Sequence, residues 1–313
     1  MIYTVTLNPA LDREYVVPEL AENTVLRASV VNVDFGGKGF NVSRMLSSLG
    51  KSSTALGFVG GKTGEALSSG LSRSGIQTDF VQISGESRTN TSIVETNGKD
   101  HVKVNEPGPV ISTVEIRNLL EKITQLAKAG DWWVLAGSLP PGVPVDLYAQ
   151  IIRVINSAGA KSILDTSGES LKLGLIASPY MIKPNVFEVS ELTKMSADSL
   201  NQMRKIAAVI HEMGVIKIVI SAGKEMALFS TGEACWKATP PQIEEANPIG
   251  AGDAMLAGIV FGLESGEADD RAFAWGIAAG AAAARQPGTS IPTRSDVELL
   301  LNNIKVEEVQ GAI

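Results

Sequence analysis

The chain has 313 residues, 44% hydrophobic and 19% charged, with a formal net charge of −7. That is enough material for a large buried core, and the acidic balance with no basic run argues against a nucleic-acid-binding surface. A single cysteine, Cys235, excludes an intrachain disulfide, and two histidines far apart, His101 and His211, argue against a histidine-based metal site. The start shows no basic and apolar leader, and the longest run of small apolar residues, 276–284, is too short to cross a membrane. A cytoplasmic protein without a membrane partner is expected.

The first strand candidate is "IYTVTL" at 2–7, and five more continuous apolar segments follow in order. They are "TALGFVG" at 54–60, "WWVLAGS" at 132–138, "KSILDTS" at 161–167, "YMIKPN" at 180–185 and "IKIVISAG" at 216–223. Continuous rather than alternating patterns are expected where both faces of a parallel sheet are covered. Helices lie between them. Val42, Met45, Leu46 and Leu49 fall at i, i+3, i+4, i+7, as do Ile116, Leu119, Leu120 and Ile123, and Ser112 with Glu115 has the spacing of a capping box. The expected fold is a doubly wound, mostly parallel α/β sheet in one domain over 1–313.

Two β-prone segments break the rhythm: "REYVVP" with "LRASVVNVDFG", and "SRTNTSIVETNGKDHVKVNEPG", which suggests a hairpin around Asn97-Gly98. They predict a small separate sheet, from about 13–35 and 86–107, projecting from the main domain.

Two glycine-rich stretches precede apolar helices. In "GGKGFNVSRMLSSLG", Gly37, Lys38 and Asn41 surround a turn that either cradles a polar ligand or is a plain helix entry. In "NPIGAGDAMLAGI", Asp253 follows Gly250, Ala251 and Gly252, where an acid is either a helix cap or a proton acceptor beside a bound anion. The positive end of the helix dipole predicts a lowered pKa for it. Other phosphate and nucleophile motifs fail. A P-loop ending at Gly61-Lys62-Thr63 would need glycine where Leu56 stands, the first strand lacks a dinucleotide fingerprint, and Ser138 lacks nucleophile-elbow spacing.

Together, "GGKGFNVSRMLSSLG" and "NPIGAGDAMLAG" resemble the two signatures of the ribokinase-like, pfkB-type carbohydrate kinases. "TVTLNPALDR", "SRTN", "GSLPPG", "LDTSGESL", "IKPNVFE" and "ISAGKEMALF" fall in that family's order along the whole chain. The resemblance is strongest to the 1-phosphofructokinase branch, with the tagatose-6-phosphate kinase and minor 6-phosphofructokinase branches adjacent. It implies ATP and Mg²⁺ as cofactors, a phosphosugar substrate, Asp253 as the general base, and the N–H groups of Gly250, Ala251 and Gly252 around the transferring phosphoryl.

It further implies nucleotide contacts at Lys183, Asn185, Ser221, Gly223, Gly250 and Gly252, and Mg²⁺ organised by Asn185 and Glu188 through water. The segment "AAGAAAARQPGT" would close over the adenine. Sugar-side contacts would come from Asp12, Gly37, Asn41 and Ser138, with Arg27, Lys38 and Arg88 as cations for a phosphate already on the sugar. The small sheet would be a lid that pairs with its copy in a homodimer. A catalytically inactive nucleotide or sugar-phosphate sensor is the alternative from another class, and the presence of Asp253 opposes it.

Overall fold

The elements that follow come from a computed structural model, which describes residues 1–96 and 100–309. In chain order they are β1 Ile2–Thr6, β2 Ala10–Val17, β3 Val30–Gly36, α1 Lys38–Ser48, β4 Thr54–Val59, α2 Gly61–Arg73, β5 Gln77–Thr78, β6 Val81–Gln82, β7 Arg88–Glu95 and β8 His101–Asn105. Next come α3 Thr113–Leu126, β9 Trp132–Ala136, α4 Leu147–Ser157, β10 Lys161–Asp165, α5 Gly168–Leu175, β11 Met181–Ile182, α6 Val186–Thr193 and α7 Leu200–Glu212. The chain ends with β12 Lys217–Ala222, β13 Met226–Ser230, β14 Cys235–Ala238, α8 Ala251–Glu264, α9 Asp269–Ala284, α10 Arg294–Leu301 and β15 Val306–Glu308.

All six continuous apolar segments of the sequence are strands of one sheet, paired parallel in the order β12-β11-β10-β9-β1-β4. Their residues are buried on both faces, which is why they read as unbroken apolar runs. Short β5 and β6 extend one edge. On the other, β13, β14 and β15 add an antiparallel margin that the sequence pattern does not announce. One core layer packs α3 to α7 on the sheet through residues such as Ile116, Leu119, Ile152, Val189 and Met203. The opposite layer uses α1, α8, α9 and α10, with Val42, Met45, Leu46 and Ile259 among its members.

The predicted capping box at Ser112 and Glu115 is formed in full. Helices α8 and α9 pack with almost no space between them. A Cβ on Gly258 would lie 2.5 Å from the Trp275 carbonyl oxygen, and one on Gly262 would lie 2.6 Å from the Ala272 Cα. This close crossing fixes α8, and hence the residues at its start.

A separate four-stranded sheet has the order β3-β2-β7-β8. β2 pairs antiparallel with β3 and parallel with β7, and β7 pairs antiparallel with β8. The Asn97-Gly98 turn expected between these last two lies outside the described residues. Strand alternation divides the faces cleanly. In register, Asp34, Asp12, Asn90 and Asn105 share one side, while Val31, Tyr15, Ile93 and Val102, with Val33 and Val104 beside them, share the other. Among the described residues, no helix is long and apolar enough to cross a membrane.

Candidate active site

In a parallel α/β sheet, side chains meant for a ligand collect outside the carboxyl ends of the strands. Here β1 leads through Asn8 into β2 and Asp12, Ser138 follows the end of β9, Asp165 ends β10, Lys183 directly follows β11, and Ser221 is the last residue but one of β12, which ends at Ala222. Register sets the neighbours. Leu164 lies opposite Ile182, so the next residues, Asp165 and Lys183, emerge side by side.

Asp253 sits in the first turn of α8 and is buried. Gly250 begins that helix with φ of 82°, a left-handed conformation that suits glycine, and no side chain caps the end. Asp253 is therefore not a helix cap. Its Oδ2 accepts a hydrogen bond from Asn41 Nδ2 at 2.8 Å, which ties the two glycine-rich stretches into one site.

The expectation of a lowered pKa at Asp253 is overturned. Burial first, and then the nearby charge of Asp165, push its carboxyl up to about 6, against the opposing pull of Asn41, Lys38 and Lys183. A helix terminus contributes about 0.3–1 kcal/mol, and the desolvation of a fully buried acid is larger.

Lys38 is the first residue of α1 rather than a turn residue, and its Nζ donates to Asp165 Oδ1 at 3.1 Å. Lys183 Nζ lies 3.4 Å from Asp165 Oδ2. Burial lowers the Lys38 pKa, but Asp165 and then Asp253 outweigh it, so the net shift is upward. Asp165 is buried, which would raise its pKa, yet Lys183 and Lys38 hold it below the usual carboxylate range. Sequence reasoning passed over Asp165. The signal was an acid at the exit of the apolar strand "KSILDTS".

Gly37 precedes α1 with φ of 147°, and a Cβ there would lie 2.7 Å from the Thr6 methyl. A Cβ on Gly36 would lie 2.0 Å from Asp12 Oδ2. These glycines therefore let α1 approach the end of β1 and make room for Asp12. Asp12 Oδ1 accepts from Asn90 Nδ2 at 2.8 Å, and burial, set against that bond, raises its pKa. Ser138 Oγ accepts from Asn8 Nδ2 at 3.4 Å, and Asn8 Nδ2 also donates to the Pro107 carbonyl.

The expected cations divide. Arg88 is brought to the base of the small sheet, where Nη2 donates to the Asn8 carbonyl at 3.0 Å and Nη1 to the Glu106 carbonyl at 2.9 Å. It thus ties the β1–β2 connection to the β8–α3 connection, two of the chain crossings between the sheets, and its buried Nε has no partner. Arg27 is not brought in. It is exposed on the β2–β3 connection and makes no hydrogen bond or ion pair among the described residues.

Asn185 and Glu188 form a capping box at the start of α6. Asn185 Oδ1 accepts from the N–H groups of Phe187 and Glu188, and Glu188 Oε2 accepts from Asn185 N at 2.8 Å. Ser221 and Gly223 line an open groove of about 680 Å³ together with Asn185, Phe187 and Met226. On the other side of the sheet, Asn247 Nδ2 donates to the Gly288 carbonyl at 2.7 Å, joining the loop before α8 to the segment after α9.

No group of three or more His, Cys, Asp or Glu among the described residues is arranged to hold a metal. One carboxylate, Glu188, already half engaged in its cap, suits a hard cation that keeps its waters and rides on phosphate oxygens.

The chain is similar to known proteins along nearly its whole length. It is 37% identical over 310 residues to 1-phosphofructokinase of Borreliella burgdorferi, covering 99% of both chains. It is 34% identical over 306 residues to 1-phosphofructokinase of Bacillus subtilis, covering 98% of this chain and 99% of that one. The structure of phosphofructokinase-2 from Escherichia coli in complex with potassium superposes with a TM-score of 0.92 at 30% identity, covering 96% and 98% of the two chains. Another structure of that protein is its tetrameric inhibited form. The family model for pfkB family carbohydrate kinases matches residues 6–296, and with this coverage the chain belongs to that family.

Proposed function

We propose that the protein phosphorylates fructose 1-phosphate to fructose 1,6-bisphosphate with ATP, using Asp253 as the general base. The observation that carries the mechanism is the buried Asp253, held by Asn41 at the glycine-started end of α8, with its pKa raised to about 6. The choice of substrate is supported by the two 1-phosphofructokinases, each aligned over nearly its full length. The base takes the proton of the acceptor hydroxyl as its oxygen bonds to the γ-phosphorus. The bond from that phosphorus to the β,γ-bridging oxygen breaks, and ADP leaves with the bond's electrons. Because the transition state of phosphoryl transfer is loose, the work of the protein is positioning and charge stabilisation. The N–H groups of Gly250 and Gly252 supply donors where charge gathers on the phosphoryl oxygens, while that of Ala251 already donates to the Pro248 carbonyl at 3.2 Å.

Lys183, Asn185, Ser221 and Gly223 form the nucleotide side. Glu188, through its free oxygen and water, would hold Mg²⁺, which when bound neutralises phosphate charge. Asp12, Gly37, Asn41 and Ser138 form the sugar side and Arg88 meets the phosphate already on the sugar, while Lys38, paired with Asp165 beside Asp253, serves the transferring phosphoryl group instead. The small sheet acts as a lid over that side, because its polar face carries Asp12 and Asn90. Its other face exposes Val31, Val33, Val102 and Val104, each about half exposed, and a second copy of the chain is the partner that would cover them.

The test is kcat/KM for fructose 1-phosphate, tagatose 6-phosphate, fructose 6-phosphate, fructose and ribose at equal concentration with Mg-ATP. Fructose 1-phosphate should rank first and the free sugars last. A preference for tagatose 6-phosphate would keep the mechanism and replace the substrate, whereas a preference for a free sugar would refute the phosphosugar reading.

A further inference from the structure

Four charged groups meet at one buried junction, and the family signatures in the sequence name only some of them. Asp165, at the end of β10, has a side chain 1% exposed. Lys183 beside it is 6% exposed, and Lys38, reaching in from α1, is 40% exposed. A Cβ on Gly252 would lie 3.4 Å from Lys183 Nζ, so this ammonium stands against the first turn of α8. The backbone of Lys38 lies on the opposite flank, where a Cβ on Gly137 would come within 3.9 Å of its own Cβ. The groups facing Asp253 are therefore Asp165 from β10, Lys183 from β11, and Lys38 and Asn41 from α1. Asp165 also faces Tyr148 of α4, whose hydroxyl donates to the Gly137 carbonyl at 3.0 Å.

Two ammonium groups near each other repel, and an unpaired charge is costly to bury. A single carboxylate here answers both problems. Its two oxygens separate the lysines and direct one toward each, and Oδ2 keeps no hydrogen bond of its own beyond the looser Lys183 ion pair. The sum over Asp165, Asp253, Lys38 and Lys183 is zero, so the junction is neutral until a phosphate enters.

We propose that Asp165 is a positioning residue that holds Lys38 and Lys183 as a fixed pair flanking the path of the transferring phosphoryl group. This rests on the kinase reading for that path. Lys183, against Gly252, meets the phosphate on the nucleotide side, and Lys38, on the helix that carries Asn41, meets it on the sugar side. Asp165 also places a second negative charge beside the base, so it acts on Asp253 as well as on the lysines.

The discriminating variant is Asp165→Asn, which keeps the side-chain volume and removes the charge. Turnover with fructose 1-phosphate and Mg-ATP should fall about 10- to 100-fold, the scale of a group displaced by about 1 Å. KM for ATP should not rise, since the lysines lose their internal counter-ion and attract phosphate at least as well. The acid limb of kcat should move down by roughly one pH unit. The Asp253 carboxyl, followed by ¹³C NMR, should titrate lower by a similar amount. A merely structural role for Asp165 would lower stability without moving that limb downward.

If Asp165→Asn does not fold, Lys38→Met makes the opposite prediction. Turnover again falls, but the acid limb moves up, because a cation that favours the charged base is gone. Unchanged turnover and an unmoved acid limb in a folded variant overturn the proposal. If the parent protein itself transfers no phosphoryl group, the kinase reading fails instead, and the NMR titration of Asp253 still tests the coupling to Asp165.

Discussion

The side-chain amide of Asn41 donates to Asp253 Oδ2 at 2.8 Å, joining residues 212 positions apart in sequence. Asn41 lies on α1 and Asp253 at the start of α8, two helices of the same core layer. One bond thus fixes the orientation of the carboxylate and leaves the amide oxygen of Asn41 available to a substrate hydroxyl.

The pH dependence follows from the environment of that carboxylate. Asp253 titrates at about 6, raised from its ordinary value by burial and by Asp165. Only the deprotonated form accepts a proton, so kcat should be level above pH 7 and fall tenfold per unit below about 6. Stability runs the other way. A carboxyl whose folded pKa is raised favours the folded state below its unfolded pKa, and that contribution is lost as pH rises through about 6. A pH–rate profile with its acid limb near 4 would contradict this environment.

Arg88 touches the carbonyls of Asn8 and Glu106, which lie on the β1–β2 and β8–α3 connections between the two sheets. Arg88→Ala should raise KM for the phosphosugar about 10- to 100-fold, as expected for losing a charge-assisted contact of roughly 1.5–3 kcal/mol, and leave KM for ATP nearly unchanged. Arg88→Lys should not restore it, because a point charge cannot reach both carbonyls and a phosphate. Normal phosphosugar kinetics in the alanine variant would remove Arg88 from the substrate site.

Glu188 has two roles that one substitution separates. Glu188→Gln keeps an oxygen able to accept from the Asn185 N–H, so the cap of α6 and the Tm should persist. The Mg²⁺ concentration for half-maximal rate should rise roughly tenfold or more. An unaltered Mg²⁺ requirement, with the Tm intact, would confine Glu188 to its capping role.

Gly258 is held by contact rather than by backbone conformation. With the Trp275 carbonyl 2.5 Å from where a Cβ would sit, Gly258→Ala must spread α8 and α9 or bend one of them. The cost should be about 1–3 kcal/mol, seen as a drop in Tm on the order of 5 °C. An unchanged Tm would mean that the helices have slack which their spacing does not suggest.

The six central strands were legible because each is an unbroken apolar run, and the small sheet because its polar, β-prone segments interrupt that rhythm. The margin of β13, β14 and β15 was not legible. It is antiparallel and partly exposed at the sheet edge, so Cys235–Ala238 and Val306–Glu308 carry no strong period. At the site, Asp253, Asn41 and Lys183 stood in recognisable motifs. Asp165 did not stand out, since its importance depends on the register of β10 against β11 and on the reach of Lys38 from α1, neither of which is local. The direction of the Asp253 shift was misjudged for a similar reason. Its place at a helix start is local information, whereas its burial and its acidic neighbour are not.

The central claim is tested most directly by Asp253→Asn, assayed for turnover, nucleotide affinity and stability in one preparation. The amide can still accept from Asn41, so the fold should persist. Removing a buried carboxylate whose pKa is raised by about two units should stabilise the protein at pH 7.5 by up to about 3 kcal/mol. The account predicts a kcat lower by on the order of 10²–10⁴, with ATP binding and phosphosugar KM little changed. A folded Asp253→Asn protein that turns over at close to the parent rate would contradict it.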